Sequence, residues 1–252
     1  MNSIPKKAIL VTTFFIGSRL SSYAQPDFSK YEVGINAGSF IYQGDLTPSA
    51  LGSFKTWKPA FGISLSRILN RSFSVRLNLA LGEIKGDDAK YSSPAWRQQR
   101  NFNFNSPLTE VSAMMVWNVL GKNGDEFNSG ISPYLFAGIG YSFLNIKRDW
   151  SNMNTTVFSP ESAVQAGLVQ DAAHSLPNAI PVLPLGIGVR YSLSPHISVD
   201  AESSYRFTFT DYLDGFSQSA NPSKKDHYYS HSIGIIYSFI KKNIVRCPVI
   251  RY

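Results

Sequence analysis

From Tyr31 onward the chain alternates apolar with polar or small residues in eight separate runs, the period-2 signature of strands with two unlike faces. In the first run Tyr31, Val33, Ile35 and Ala37 share one face, and Glu32, Gly34, Asn36 and Gly38 the other. The second sets Phe61, Ile63 and Leu65 against Gly62, Ser64 and Ser66; the third sets Val75, Leu77, Leu79 and Leu81 against Arg76, Asn78, Ala80 and Gly82. The fourth, over 108–119, points Val111, Ala113, Met115 and Trp117 outward and Glu110 and Ser112 inward. It also carries Met114 and Val116, which leaves its register open. The fifth opposes Leu135, Ala137, Ile139, Tyr141 and Phe143 to Gly138, Gly140 and Ser142; the sixth opposes Leu185, Ile187, Val189, Tyr191 and Leu193 to Gly186, Gly188, Arg190 and Ser192. In the seventh, Ile197, Val199, Ala201, Tyr205, Phe207 and Phe209 face away from Ser198, Asp200, Glu202, Arg206, Thr208 and Thr210. The eighth turns Ile233, Ile235, Tyr237 and Phe239 outward.

Eight apolar faces set opposite Gly, Ser and charge suit lipid outside and a closed lumen inside, which a water-soluble sandwich does not require. Eight is also the smallest number of strands that closes a membrane barrel. The pattern predicts an all-β fold, an eight-stranded antiparallel transmembrane outer-membrane β-barrel. Loop lengths agree. Connections after the second and sixth runs are tight, at Leu69-Asn70-Arg71 and Ser194-Pro195-His196, and the one after the fourth, over 121–130, is moderate. Those after the first, third, fifth and seventh are long, the parity of a barrel with both termini in the periplasm. The longest, over 146–180, holds Pro160, Pro177 and many Ser, Asn and Thr, and is expected to be a partly mobile external segment.

The start of the chain supplies the route. Met1–Ala24 reads as a cleavable export signal, with Lys6 and Lys7 ahead of a short apolar stretch and Ser22-Tyr23-Ala24 at the cleavage point. The expected organisation is a signal peptide over 1–24, a barrel over 25–239, and a basic periplasmic tail over 240–252. The formal charge of +7 falls to about +4 once Lys6, Lys7 and Arg19 leave with the signal. Neither a clustered basic face nor an aromatic platform of a known module argues for nucleic acid. One cysteine, Cys247, excludes an internal disulfide framework. Ser232-x-Gly234-x-x-Tyr237-x-Phe239 resembles the terminal strand signal read by the barrel-insertion machinery, so that machinery and outer-membrane lipids are expected partners.

Candidate chemistry is sparse. The inward parity collects Arg76, Arg190 and Arg206 with Glu32, Glu110, Asp200 and Glu202. Charges confined in a lumen persist when paired, which favours a polar plug over the alternative of a narrow ion path. His227 and His231 would lie about 13 Å apart on one strand face, too far to share a metal, and His196 falls in a turn. Asp45, Asp211 and Asp214 would reach His174 only across the rim, and Asp87-Asp88 lacks a cation-loop pattern. No catalytic residue, metal ligand or cofactor site is assigned.

Several clusters exceed generic barrel grammar. They are Glu32-x-Gly34-x-x-x-Gly38, Tyr42-x-Gly44-Asp45-Leu46, Arg100-Asn101-Phe102-x-Phe104 with Pro107-Leu108-x-Glu110, Pro133-Tyr134-x-Phe136-x-Gly138-x-Gly140, and Pro184-x-Gly186-x-Gly188. The last is Glu202-x-x-x-Arg206-x-Thr208-x-Thr210-Asp211-Tyr212-Leu213-Asp214. In this order, over nearly the whole mature chain, they resemble the PorG-type outer-membrane barrel family of the type IX (Por) secretion and gliding apparatus of Bacteroidota. The resemblance implies a non-catalytic scaffold that tethers a periplasmic lipoprotein ring to the outer membrane. A small surface barrel of the OmpA or OmpX kind, binding lipid, protein or host surface through its loops, is the other reading. The acids of Gly44-Asp45-Leu46 and Asp211-Tyr212-Leu213-Asp214 are expected at the loop-bearing rim, either bonding loop amides or serving a partner site.

Overall fold

The structure is a computed structural model that describes residues 28–49, 52–124 and 130–239. The expected export signal over 1–24, Cys247 and the basic tail over 240–252 lie outside the described residues. Nine strands run in chain order: β1 (Tyr31–Gln43), β2 (Lys58–Ile68), β3 (Phe73–Asp87), β4 (Asn103–Asn118), β5 (Ile131–Leu144), β6 (Lys147–Asp149), β7 (Ala179–Ser192), β8 (Ile197–Thr208) and β9 (His227–Ser238). Eight of them form the wall of a closed barrel in which every pairing is antiparallel. β1 meets β9 from Glu32↔Ser238 to Gln43↔His227, and β3 meets β4. β6 is an addition, pairing only with the end of β4 at Asn103–Asn105. Closure leaves the eight-stranded wall no free edge, the condition for crossing lipid with strands.

The outward positions are those the alternation marks, and they stay bare: Ile139 is 68% exposed, Ile233 71% and Phe61 62%. A continuous apolar belt of this kind is far larger than the patches water-soluble monomers tolerate, so the chain is a transmembrane barrel. On β4, Val111, Met115 and Trp117 face outward while Met114 and Val116 are buried with Tyr134 and Phe136, which fixes the register the sequence leaves open.

The short connections, 69–72 and 193–196, lie at the end where Glu32 pairs with Ser238, together with residues 119–124 of the connection after β4. Asn70 Oδ1 accepts from the amides of Ser72 and Phe73, fixing the first of these turns locally. The long connections, 44–57, 88–102, 145–178 and 209–226, gather at the opposite end and pack into a cap. Helix α1 (Trp96–Arg100) lies in the second and helix α2 (Ala163–Ala173), N-capped by Ser162, in the third. This corrects the expectation of a partly mobile 146–180 segment. Its α2 inserts Leu168 into an apolar core with Leu46, Ile84, Phe102, Phe104, Leu213 and Phe216, and Trp150 and Met153 pack against that core. The same core ends the alternation of β1. Phe40 and Tyr42 face the cap interior while Gly52 lies against the outer side of Ile41, so three successive residues are buried.

Candidate functional site

Two polar systems occupy the axis of the barrel, one in the lumen and one in the cap. In the lumen the predicted charges meet in three tiers. Nearest the short turns, Arg190 donates to both oxygens of Glu32, at 2.9 and 3.0 Å, and Ser238 adds a hydroxyl at 2.9 Å. In the middle, Arg76 pairs with Glu202 while its guanidinium lies 5.6 Å from the Tyr134 ring centre and 5.8 Å from that of Phe136. Tyr134 Oη lies 2.6 Å from Glu202 and 2.9 Å from Asp200. Toward the cap, Arg206 donates to Glu110 at 3.0 Å and to Ser204, and the Tyr228 hydroxyl closes on Glu110 at 2.8 Å. Four acids face three arginines, and Asp200, the acid left over, is held by Tyr134. A polar cavity of about 20 Å³, room for a single water, separates the upper two tiers beside Asn36, Asn78, Glu202 and Arg206.

In the cap the structure brings the two most specific sequence motifs together. Leu46 and Leu213 are fully buried in one apolar core. Asp45 Oδ2 accepts from the Asn221 amide at 2.8 Å, and Asp214 Oδ1 from the Phe216 amide at 2.8 Å. Tyr42, at the end of β1, lies with its hydroxyl 2.7 Å from Asp214 Oδ2 and 2.8 Å from Asp226 Oδ1. Gly44 is required there: a Cβ would stand 1.9 Å from Asp226 Oδ1 and 2.0 Å from Tyr42 Oη. Asp211, by contrast, bonds no loop amide.

A tyrosine hydroxyl has one proton, so it cannot donate to both acids at once; one of the two contacts must be closed by a carboxyl proton. The electrostatics agree. Burial raises Asp214 and Asp226 well above the ordinary aspartate range, Asp226 further through the charge of Asp214, and burial with the nearby Asp211 pushes Asp45 up to about 6.

Of three residues that organise the cap, Asp171, Arg97 and Arg100, only Arg100 is marked in the sequence. Asp171, on α2, accepts from the amides of Ser217, Gln218 and Ser219 at 3.2, 3.0 and 2.9 Å and from the Tyr212 hydroxyl at 3.3 Å. Arg97 and Arg100, on α1, pair with the fully buried Asp88 at 2.8 and 2.6 Å and donate to the Asp45 carbonyl. Asp88 is thus an arginine anchor, while its neighbour Asp87 caps a turn. His174 stacks flat on Tyr212 at 4.0 Å, and His227 lies on β9 beside Tyr205 and Phe207.

The barrel is similar to solved outer-membrane structures. These include Neisserial surface protein A, with 16% identity, a TM-score of 0.46, and coverage of 83% of this chain and 97% of that one. Another is Ail, the attachment invasion locus protein of Yersinia pestis, solved with the heparin analogue sucrose octasulfate: 14% identity, TM-score 0.43, and 82% and 96% coverage. A third is the outer membrane enzyme PagL, with 12% identity, TM-score 0.38, and 81% and 97% coverage. Among curated proteins none matches in sequence. Over residues 7–240 the chain matches the family described as Domain of unknown function (DUF6089), and it belongs to that family.

Proposed function

We propose that the chain is a non-catalytic outer-membrane barrel with both termini in the periplasm, whose long loops form an outward-facing recognition platform. The observation that carries this reading is the construction of the cap. Four loops share one apolar core, Asp171 ties α2 to amides 46 to 48 residues further on, and Asp88 anchors the two arginines that reach Asp45 more than 50 residues back, an investment beyond what connecting strands needs. A platform of fixed shape recognises a partner without first ordering its loops, which removes a cost that mobile loops carry.

The second reading, an anchor of a type IX-like secretion complex, is favoured by the order of the shared motifs, of which Gly44-Asp45-Leu46 and Asp211-Tyr212-Leu213-Asp214 converge in the cap core. It places the working surface at the other end, where the short turns and the tail over 240–252 would meet a periplasmic lipoprotein ring. A mild-detergent pull-down of the tagged protein from its own outer membrane separates the two. Recovery of a lipoprotein ring, lost on deleting 240–252, supports the anchor. Recovery of a lone barrel, with binding to external material that depends on the four long loops, supports the platform.

A further inference from the structure

On the outer rim of the barrel, at the foot of the cap, two lysines form no ion pair among the described residues. Lys55, in the 3-10 turn Phe54–Thr56, donates to the Lys90 carbonyl at 3.2 Å, and Lys90, in the turn Asp88–Lys90, donates back to the Lys55 carbonyl at 3.4 Å. Both side chains are exposed, and among the described residues neither forms an ion pair. Their neighbours Lys58 and Lys85 are neutralised, by Glu83 and Asp87 respectively, each at 3.4 Å. An ammonium has three donors, so each of the unpaired two keeps donors free after its carbonyl bond. Lys55 also lies over the ring of Tyr91, a buried residue whose hydroxyl has no partner.

The height of this pair on the barrel is set by its surroundings. Phe54 is 69% exposed and Trp57 54%, flanking Lys55 on the outer surface. The Phe54 ring stacks on His231 at 5.8 Å, and through Tyr229 joins Tyr205 in an aromatic belt across β9 and β8. Aromatic belts sit at the headgroup level of a bilayer. The spacing along β2 agrees. From Trp57 to Arg67 the chain runs about 34 Å, which a strand tilt of about 40° reduces to roughly 26 Å, the height of a barrel's apolar band. The two free ammoniums therefore stand at the lipid headgroups on the cap side.

We propose that Lys55 and Lys90 form a clamp for the phosphate of a membrane lipid in the leaflet on the cap side, with Phe54 and Trp57 against its acyl chains. Given the outward cap proposed above, that lipid is a phosphorylated glycolipid of the external leaflet. Protease shaving of intact cells tests the orientation separately from the clamp.

The test is native mass spectrometry of the full protein in mild detergent, offered diphosphoryl lipid A, the same lipid A stripped of phosphate, or inorganic phosphate. The phosphorylated lipid is expected to be retained at least about fivefold over the stripped one, as two interfacial charges acting together allow. The preference is expected to vanish in K55Q/K90Q and to survive in K30Q, an exposed lysine at the opposite end of the barrel, just before β1. Equal retention of the two lipids by the unaltered protein would overturn the proposal with no variant needed. So would an undiminished preference in K55Q/K90Q, whose folding is checked by its heat-dependent gel mobility. Inorganic phosphate that displaces the lipid at equal concentration would mark a free-anion site and overturn the lipid assignment.

Discussion

Tyr42 spends a single hydroxyl proton between two buried carboxyls, and that shortage sets the proton balance of the cap. Removing the hydroxyl with Tyr42→Phe leaves Asp214 Oδ2 and Asp226 Oδ1 without their shared hydrogen-bond partner, while Asp226 Oδ2 already lacks one. The expected cost is about 1–3 kcal/mol of cap stability, read as faster proteolysis of the 209–226 loop with the barrel itself intact. The pH dependence has a definite sign. Asp45, Asp214 and Asp226 all bind protons more tightly in the folded cap than an unfolded aspartate does. Their contribution is therefore complete below the ordinary aspartate range near 3.9 and declines as pH rises through the folded values, about 6 for Asp45 and likewise raised for the other two. Protease resistance of the loops is expected to fall between pH 5 and pH 8, and a rise over that interval would show that the acids are ionised in the fold. None of this was legible from Gly44-Asp45-Leu46 and Asp211-Tyr212-Leu213-Asp214 alone. The sequence marks acids at a rim; that Asp214 shares one hydroxyl with Asp226 depends on the end of β1 meeting the 209–226 loop.

Within each strand the inward charges act on partners far along the chain, and their worth is best measured by breaking one pair. Glu110 on β4 is fully buried and accepts from Arg206 on β8, Tyr228 on β9 and Ser112. Glu110→Ala leaves the Arg206 guanidinium unpaired at the top of the lumen, at an expected cost of about 3–5 kcal/mol. The double change Glu110→Leu with Arg206→Met removes both charges and is expected to recover most of that loss, since apolar replacements of similar volume commonly match a buried pair. Urea unfolding in lipid vesicles measures both; a double variant as weak as the single one would mean that the pair also sets the register. The strands themselves were legible because each separates lipid from lumen, two surroundings that enforce period 2 over their middle. Their ends were not. Phe40, Ile41 and Tyr42 are buried in succession, and β3 and β4 run on to carry Ile84 and Phe104 into the cap, because there the loops cover the wall and alternation has nothing to report. The 145–178 connection reads as polar and loose because its anchors, Trp150, Met153 and Leu168, are single apolar residues in a Ser- and Asn-rich stretch, and the acceptor role of Asp171 is played toward amides 46 to 48 residues away.

For the molecule as a whole the arrangement places two closures in series along one axis. The lumen is filled by three tiers in which arginines, carboxylates and the rings of Tyr134, Phe136 and Tyr228 occupy the cross-section, as eight strands allow. Above it the cap core of Phe40, Tyr42, Leu46, Phe102, Phe104 and Phe216 presents fully buried apolar side chains to any ion leaving the lumen. An ion would have to shed its water at the apolar layer and also displace a paired charge below, and each barrier alone exceeds thermal energy several times over. Either closure is therefore expected to be sufficient. Reconstituted in a planar bilayer, the unaltered protein is expected to carry no steady current, and so is the Arg76→Ala/Glu202→Ala variant, because its cap stays shut. Shortening the 209–226 loop, which removes Leu213, Phe216 and the acids around Tyr42, is likewise expected to leave the bilayer sealed by the lumenal tiers. Combining the two changes opens both barriers, and steady current is expected only then. Current through the unaltered barrel would favour the ion-path reading of the lumenal charges, and current from either change alone would show that only one of the two layers seals.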